Sequence, residues 1–452
     1  MTEAPVGLDY RQALHALEAR GRFGVRLGLG RTRALLDRLG HPERAVRGAL
    51  VAGTNGKGSV LALADAALRA AGYRVGSTPK PHLVTYRERV QIDGRPIDPD
   101  DFARLADRVL AVSDAVARRH GEPTEFELLT ALVFTRFAEV RPDVALVEVG
   151  LGGRLDATHA WDGGVAVVTN VDLDHTDRLG DTITAIAREK AAIIMRGDLA
   201  VTGASGDALT VVRRRASRLD VPLTDVRPAP LLGWDRDSIE VELAGLGRTR
   251  VGLRGRHQAA NVAIADALLD ALEAAGVASA PAAARRTGYA TTVWPGRLEL
   301  VTVDGREVLL DGAHNPAGAA ALAIALDDLG PFLADGPLTL VTASMADKDV
   351  DGVIAALSQA GAMARATIVC TSPGVARAMG AADLAAHWRA QRPTARVLVE
   401  PDPIAAVRRA LERPAAGNGP IVVAGSLYLV GAARGHLVDD PDLRDPDPSE
   451  DA

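Results

Sequence analysis

The chain has a single cysteine among its 452 residues, Cys370, so no intrachain disulfide contributes to its stability. That thiol lies in the strand-like run Ala366 to Thr371 and reads as a core position in a reducing compartment. No apolar run is long enough to span a bilayer, and the segment Met1 to Tyr10 carries acids and a proline where a secretion signal would be basic and then apolar. A cytoplasmic location without a membrane partner is the expectation. A strong charge of one sign is lacking too. The net charge is −6, and the stretch Asp439 to Ala452, with seven acids against Arg444, carries the same −6. The body is therefore near neutral, which argues against a nucleic-acid surface. The acid-, proline- and serine-rich end, 438–452, reads as a disordered tail.

What is present is a large apolar content, 47% of residues, in a chain longer than one core usually supports, so two domains are expected. Apolar, β-rich runs alternate with alanine- and leucine-rich helical segments, the pattern of an α/β fold with mostly parallel sheets covered by helices. Strands are expected at Ala49–Val51, Val144–Val149, Val165–Val168, Val308–Leu310, Leu338–Thr342, Thr367–Cys370 and Ile421–Val423. A boundary falls near Trp294–Glu299, after a long helical region from His257 to Ala284. This divides the chain into 1–296, 297–437 and the acidic tail 438–452. In open α/β sheets ligands lie beyond the carboxyl ends of strands, so the loops there are where chemistry is sought.

The most informative loop is Gly53-Thr54-Asn55-Gly56-Lys57-Gly58-Ser59, between an apolar strand and a helix predicted from Val60 to Ala71. Gly53, Gly56 and Gly58 allow backbone N–H groups to approach an anion, Lys57 supplies a positive charge, and the Ser59 hydroxyl can ligate Mg²⁺. The spacing is a variant of the common P-loop, with two residues between the first glycines and Gly58 between lysine and serine.

Glu148 ends a strand that should be buried on both faces. It therefore needs a partner, either a metal shared with Ser59 or a contact such as Arg154 or a helix cap. After the next strand comes Thr169-Asn-Val-Asp-Leu-Asp-His175-Thr176, where His175 could ligate a second metal ion, contact phosphates, or serve as a hydrogen-bonded loop residue. On the helix predicted from Asp181 to Met195, Lys190 shares the apolar face of Ile183, Ile186, Ala187 and Ile194. Held there, its pKa falls and its neutral amine can be carbamylated; alternatively its stem packs and its head reaches water.

Several ordered blocks, from about Tyr10 to about Arg434, resemble the folylpolyglutamate synthase and dihydrofolate synthase family of Mur-ligase-like enzymes. They are Gly53–Ser59, Pro81-His82-Leu83 with Arg87-Glu88-Arg89, Glu148-Val-Gly-Leu-Gly-Gly-Arg154-Leu-Asp156-Ala-Thr158 and Leu173-Asp-His-Thr176. Further along come Glu189-Lys-Ala191, Pro295-Gly-Arg297, Leu310-Asp311-Gly-Ala-His314-Asn-Pro316 and Gly425-Ser-Leu-Tyr-Leu-Val-Gly431. The resemblance implies an N-terminal P-loop Mur-ligase-type ATPase domain and a smaller Rossmann-like C-terminal domain. It implies an ATP-dependent ligase joining L-glutamate to a folate or pteroate carboxylate through an acyl phosphate, acting as a monomer without an organic prosthetic group. By the same resemblance, Ser59, Glu148 and His175 map onto ligands of Mg²⁺, expected as two ions, and Lys190 maps onto a carbamylated lysine. Asn261, Arg297, Asp311 and His314 map onto ATP contacts at the junction of the two domains. Lys57, Lys190 and His175 are thus the expected catalytic set, with Lys80, His82, Arg87, Arg154 and Asp156 as candidates near the acid substrate.

The chain departs from the family where Pro79-Lys80 replaces the usual Thr-Ser before Pro-His-Leu, and where His159 replaces an Asn. Lys80 there either favours an anionic glutamate tail or is a solvated loop lysine. No Ser-His-Asp logic is present, which suits a reaction whose first step needs charge neutralisation rather than a protein nucleophile. The base that deprotonates the glutamate amine is not identified. Two other classes are weighed: a Mur ligase acting on a UDP-linked peptide precursor, disfavoured by Gly58-Ser59 and by Arg87-Glu-Arg89, and a nucleotide-binding module without catalysis.

Overall fold

Alternation of β-branched runs with helical segments produces two compact α/β units. The computed structural model describes residues 7–21, 27–412 and 419–446. One unit comprises Met1–Pro228, Asn261–Gly288 and Pro441–Ala452, the other Ala229–Ala260 and Tyr289–Asp440. The chain therefore does not divide once at 296/297. Residues 229–260 group with the second unit because they form the antiparallel strands β9 (Leu231–Trp234), β10 (Ile239–Leu243) and β11 (Gly247–Val251), followed by a segment whose Gly252 N–H donates to Tyr289 O.

The first unit is built on eight strands: β1 (Gly48–Ala52), β2 (Val75–Thr78), β3 (Gln91–Ile92), β4 (Arg95–Pro96), β5 (Val144–Glu148), β6 (Gly164–Val168), β7 (Leu199–Thr202) and β8 (Leu223–Asp225), in the order β4-β3-β2-β5-β1-β6-β7-β8. All pairings are parallel except those of the β3–β4 hairpin. Every residue of β1 and β5 is buried, as expected for central strands covered on both faces. The chain leaves β1 toward β2 on one side and later returns to β6 on the other. The loop after β1 thus opens at a topological switch point, where doubly wound sheets bind ligands.

The second unit's main sheet adds β12 (Glu299–Val303), β13 (Arg306–Leu310), β14 (Thr339–Thr342), β15 (Thr367–Cys370), β16 (Arg396–Val399) and β17 (Ile421–Ala424), in the order β12-β13-β17-β14-β15-β16. Only β12 runs antiparallel. Its core includes Leu309, Leu340, Ile368, Trp388 and the fully buried Cys370. All seven expected strands are present, and the predicted helices shift by a few residues, to Lys57–Ala70 and Ile183–Ala191. The long helical region is two helices, Gln258–Ala274 and Ala282–Thr291.

Part of the expected tail is folded. Pro441–Leu443 forms a 3-10 turn, and buried Arg87 donates to the carbonyls of Asp442 and Arg444 at 2.9 and 2.7 Å. The Asp445 carboxylate accepts from Arg87 Nε and from the Thr85 hydroxyl. A buried guanidinium requires such acceptors, and the backbone around Asp442–Asp445 supplies them. The remainder of the expected tail, 447–452, lies outside the described residues.

Candidate active site

The glycines of the loop after β1 answer to close approaches. A Cβ on Gly53 would stand 1.8 Å from Thr169 Oγ1, and one on Gly56, whose φ is +80°, would stand 2.3 Å from Asn261 Oδ1. The neighbouring loop after β6 fixes the rest. Thr54 N donates to Asn170 O at 3.0 Å, Asn55 N to Asn170 Oδ1 at 2.8 Å, and Thr169 Oγ1 to Asn55 O at 2.7 Å. The helix Lys57–Ala70 begins at Gly56, so the positive end of its dipole belongs to this loop. Thr169 and Asn170 were not among the expected site residues, although they stand in the polar cluster that follows a strand end.

Two lysines meet at this loop, and a third bonds the neighbouring Glu148. Lys57 Nζ donates to Gly53 O at 3.1 Å and Thr54 O at 3.2 Å, and lies 3.8 Å from the Glu148 carboxylate. Lys190, 5% exposed, donates to the same Gly53 carbonyl at 2.9 Å. Burial, reinforced by the charge of Lys57, pulls its pKa down to about 7, so a substantial fraction of its amine is neutral near pH 7. Lys80 is turned inward. Its Nζ donates to Glu148 O at 2.6 Å and lies 5.4 Å from the Phe126 ring centre, while its backbone N–H donates to Glu148 Oε2 at 2.9 Å. Burial lowers its pKa to about 8 against the opposing charges of Asp156 and Glu148. Lys80 is thus partly buried and bonded to Glu148, which replaces the reading of it as a solvated loop lysine.

Glu148 is 3% exposed and pairs in register with Val51 of β1. Arg154 is not its partner, since Arg154 Nε bonds to Glu189 at 2.8 Å. Ser59 is also buried. His175 heads the short helix Thr176–Leu179 with φ +50°, its Nε2 lying 3.9 Å from Asp174 Oδ2. Among the described residues no group of three histidine, cysteine or carboxylate side chains stands close enough to hold a metal. The hard oxygens of Ser59 and Glu148, on adjoining elements, fit a divalent cation that takes its other ligands from water and phosphate, as Mg²⁺ commonly does.

The candidates for the acid substrate separate. His82 Nδ1 accepts from Arg89 Nε at 2.9 Å. Arginine only donates, so the His82 proton sits on Nε2, and burial beside Arg89 pushes its pKa down to about 3. Arg87 is committed to Asp442–Asp445, as above. Asp156 accepts from the N–H groups of Gly150, Leu151 and Thr158 and from the Thr158 hydroxyl, which makes it a fastener of its own loop. Arg154, exposed, is taken up by Glu189.

In the second unit, Asp311 follows β13 and is buried. Its carboxylate accepts from Leu298 N and Ala313 N, both at 2.9 Å. Burial raises its pKa while Arg297 opposes the rise. Gly312 leaves room for Arg297, whose Nη1 would lie 2.2 Å from a Cβ there. His314 Nδ1 bonds to Gly312 O at 2.8 Å, and Asn315 caps the helix Pro316–Leu329 through Gly318 N. His257, partly buried within reach of the charges of Asp311 and Arg297, was not among the expected site residues. Its signal was the segment Gly255-Arg-His-Gln. Asn261, expected among the same contacts, groups with the first unit, beside Gly56.

Both α/β units of the chain match domains of the Mur ligases. The chain matches the Mur ligase middle domain over residues 51–269 and the Mur ligase glutamate ligase domain over 296–427. Within that class it belongs to the folylpolyglutamate synthase/dihydrofolate synthase family of ATP-dependent ligases. It is 36% identical over 355 residues to the dihydrofolate synthase/folylpolyglutamate synthase of Bacillus subtilis (strain 168), covering 76% of this chain and 82% of that protein. A crystal structure of Mycobacterium tuberculosis folylpolyglutamate synthase complexed with ADP and AMPPCP matches with TM-score 0.85 and 33% identity, covering 96% of this chain and all of that one. The Yersinia pestis bifunctional folylpolyglutamate synthase/dihydrofolate synthase, complexed with AMPPNP and Mn ion, matches with TM-score 0.78 and 29% identity over 97% and 99% of the two chains. No described helix is long and apolar enough to cross a membrane.

Proposed function

We propose that this chain joins L-glutamate to the carboxylate of a folate, of dihydropteroate, or of both, using ATP with a divalent metal and releasing ADP and phosphate. The observation that carries the proposal is the meeting of Lys57 and Lys190 on the Gly53 carbonyl, with the Glu148 carboxylate 3.8 Å from Lys57. A carboxylate is a poor acyl donor because oxide would have to leave, so it is first converted to an acyl phosphate by the γ-phosphate, and the amine then attacks. The loop amides and Lys57 hold the phosphates and offset the charge that develops during transfer. Ser59 and Glu148 would hold Mg²⁺, with His175 a candidate for a second ion; the metal supplies Lewis-acid neutralisation of phosphate charge. Arg297, Asp311 and His314 are proposed as further nucleotide contacts, and His82, through its Nε2–H, as a donor to the acid substrate. The reading of the chain as a cytoplasmic monomer belongs to this proposal, supported for the compartment by the unpaired, buried Cys370.

Phosphate release with Mg-ATP, measured with dihydropteroate, tetrahydrofolate and a UDP-linked muramyl peptide side by side, should require L-glutamate and one of the first two. Release with the muramyl peptide alone would overturn the assignment. Heavy oxygen placed in the acid's carboxylate should emerge in the phosphate. Lys190 is proposed to react as a neutral amine with CO₂, giving an anionic carbamate; its lowered pKa supports this. Lys190→Ala should lose turnover, and short carboxylic acids should restore part of it. Absence of any rescue would count against the carbamate.

A further inference from the structure

Arginine outnumbers lysine 48 to four in this chain; Lys57 and Lys190 share the Gly53 carbonyl, and Lys80 donates to Glu148, whose carboxylate is 3.8 Å from Lys57. Elsewhere the chain meets its need for cations with guanidinium groups, as in the pairs of Arg31 with Glu127, Arg256 with Asp328 and Arg434 with Glu299. A lysine retained here marks a place where a compact point charge is required and a planar fork does not serve. Lys57 and Lys190 have roles that the family resemblance implies. Lys80 has none, because it stands where the resemblance expects serine.

The surroundings of Lys80 define what it does. Two of its donors grip Glu148, the backbone N–H on the carboxylate and Nζ on the carbonyl at the end of β5. The same carboxylate is 3.8 Å from Lys57. The same residue thus has the Lys57 ammonium near its carboxylate and the Lys80 ammonium on its carbonyl, so two cations stand beside the residue proposed to hold the metal, with Asp156 among the opposing charges. The geometry points to Lys80 as a resident cation of the nucleotide site, whose ammonium takes over part of the phosphate neutralisation that a divalent ion otherwise supplies. Nucleotide binding in this chain is then less dependent on metal than the oxygen donors alone would make it. The inference rests on the proposed function only in taking a nucleotide as the anion.

The test is calorimetric binding of ADP at pH 7, in EDTA and in saturating Mg²⁺, with thermal melting as the check on folding. The wild-type chain should bind ADP measurably in EDTA. Lys80→Met and Lys80→Gln should weaken that metal-free binding about tenfold or more, the loss expected for a charge-assisted contact, while in Mg²⁺ the difference from wild type narrows. The Mg²⁺ concentration that restores half of the affinity should rise in both variants. Glu148→Gln, which removes the counter-charge, should tighten metal-free ADP binding. Failure of the wild type to bind ADP without metal overturns the inference and needs no variant. Equal losses in EDTA and in Mg²⁺ overturn it as well, since a merely structural Lys80 would act alike in both. If the acceptor assay fails while the EDTA arms behave as stated, the proposed substrates are wrong and the resident cation stands.

Discussion

Two loops of this protein make the same turn, from the end of a parallel strand into a helix, and use opposite chemistry. After β1 the loop Gly53–Ser59 is short of side chains, is clamped from outside by Thr169 and Asn170, and gathers lysine heads onto its carbonyls. After β13 the loop Asp311–Pro316 is organised by its own side chains, with Asp311 bonding Leu298 N and Ala313 N and Asn315 capping the following helix. The first is the proposed anion cradle, whose shape depends on its neighbours. The second is a turn organised by its own side chains, which carries a carboxylate and a histidine. Asn315 caps its helix with its own side chain, whereas Gly56 at the other helix start has none to offer.

The sharpest way to break the contrast is to remove the charge from the cradle. Lys57→Ala should lower turnover by about a thousandfold or more with little change in melting temperature, and a variant with ordinary rates would end the reading of this loop. The second loop should respond in stability. Asp311→Ala strands two buried amides and should cost about 3 kcal/mol, read as a lower denaturant midpoint with unchanged slope. Glycine replacement sharpens the comparison. Gly56→Ala forces a left-handed residue into Asn261 and should cost about 1–3 kcal/mol and weaken nucleotide binding. Gly318→Ala, in a helix whose cap oxygen would need to yield slightly from 3.2 Å, should be close to neutral or stabilise by a few tenths to about 1 kcal/mol.

The smallest expected effect is on pH dependence and lies away from both loops. Asp198, before β7, is buried beside Asp162, and its pKa is raised to about 7 by burial first and by that neighbour. The folded chain therefore holds a proton that the unfolded chain releases near pH 4. Stability contributed by this site is full below that pH and is lost as pH rises toward 7. Asp198→Asn should flatten the difference in melting temperature between pH 5 and pH 7.5 relative to wild type. An unchanged difference would remove Asp198 from the account.

The parallel strands were legible because their apolar runs are buried on both faces, and the cradle because Gly53, Gly56 and Lys57 have no packing reason to stand together. Helical spacing put Lys190 on an apolar face but left open whether its head reaches water, and its depth is explicit only in its bond to Gly53 O. The antiparallel strands β9–β11 were missed, although Ile239-Glu-Val-Glu-Leu243 alternates with period two, because the run is short and half-exposed. Arg87 and Asp156 were placed with the substrate by resemblance alone. The partners that absorb Arg87 come from residues 442–445, more than 350 positions along the chain, and those of Asp156 are three backbone amides and the Thr158 hydroxyl. Lys80 was legible as a departure from the family pattern, but its direction was not, because an inward turn depends on the carbonyl of Glu148 and the ring of Phe126.

The buried thiol in β15 has a practical consequence. Cys370 is fully enclosed, and its pKa is pushed up to about 12, so thiolate-seeking dyes would pass it by in the native protein. A pair of cysteines engineered at exposed positions, one in each unit, would take donor and acceptor fluorophores without prior removal of a native thiol. The distance between the units could then be followed by energy transfer, molecule by molecule, through a catalytic cycle.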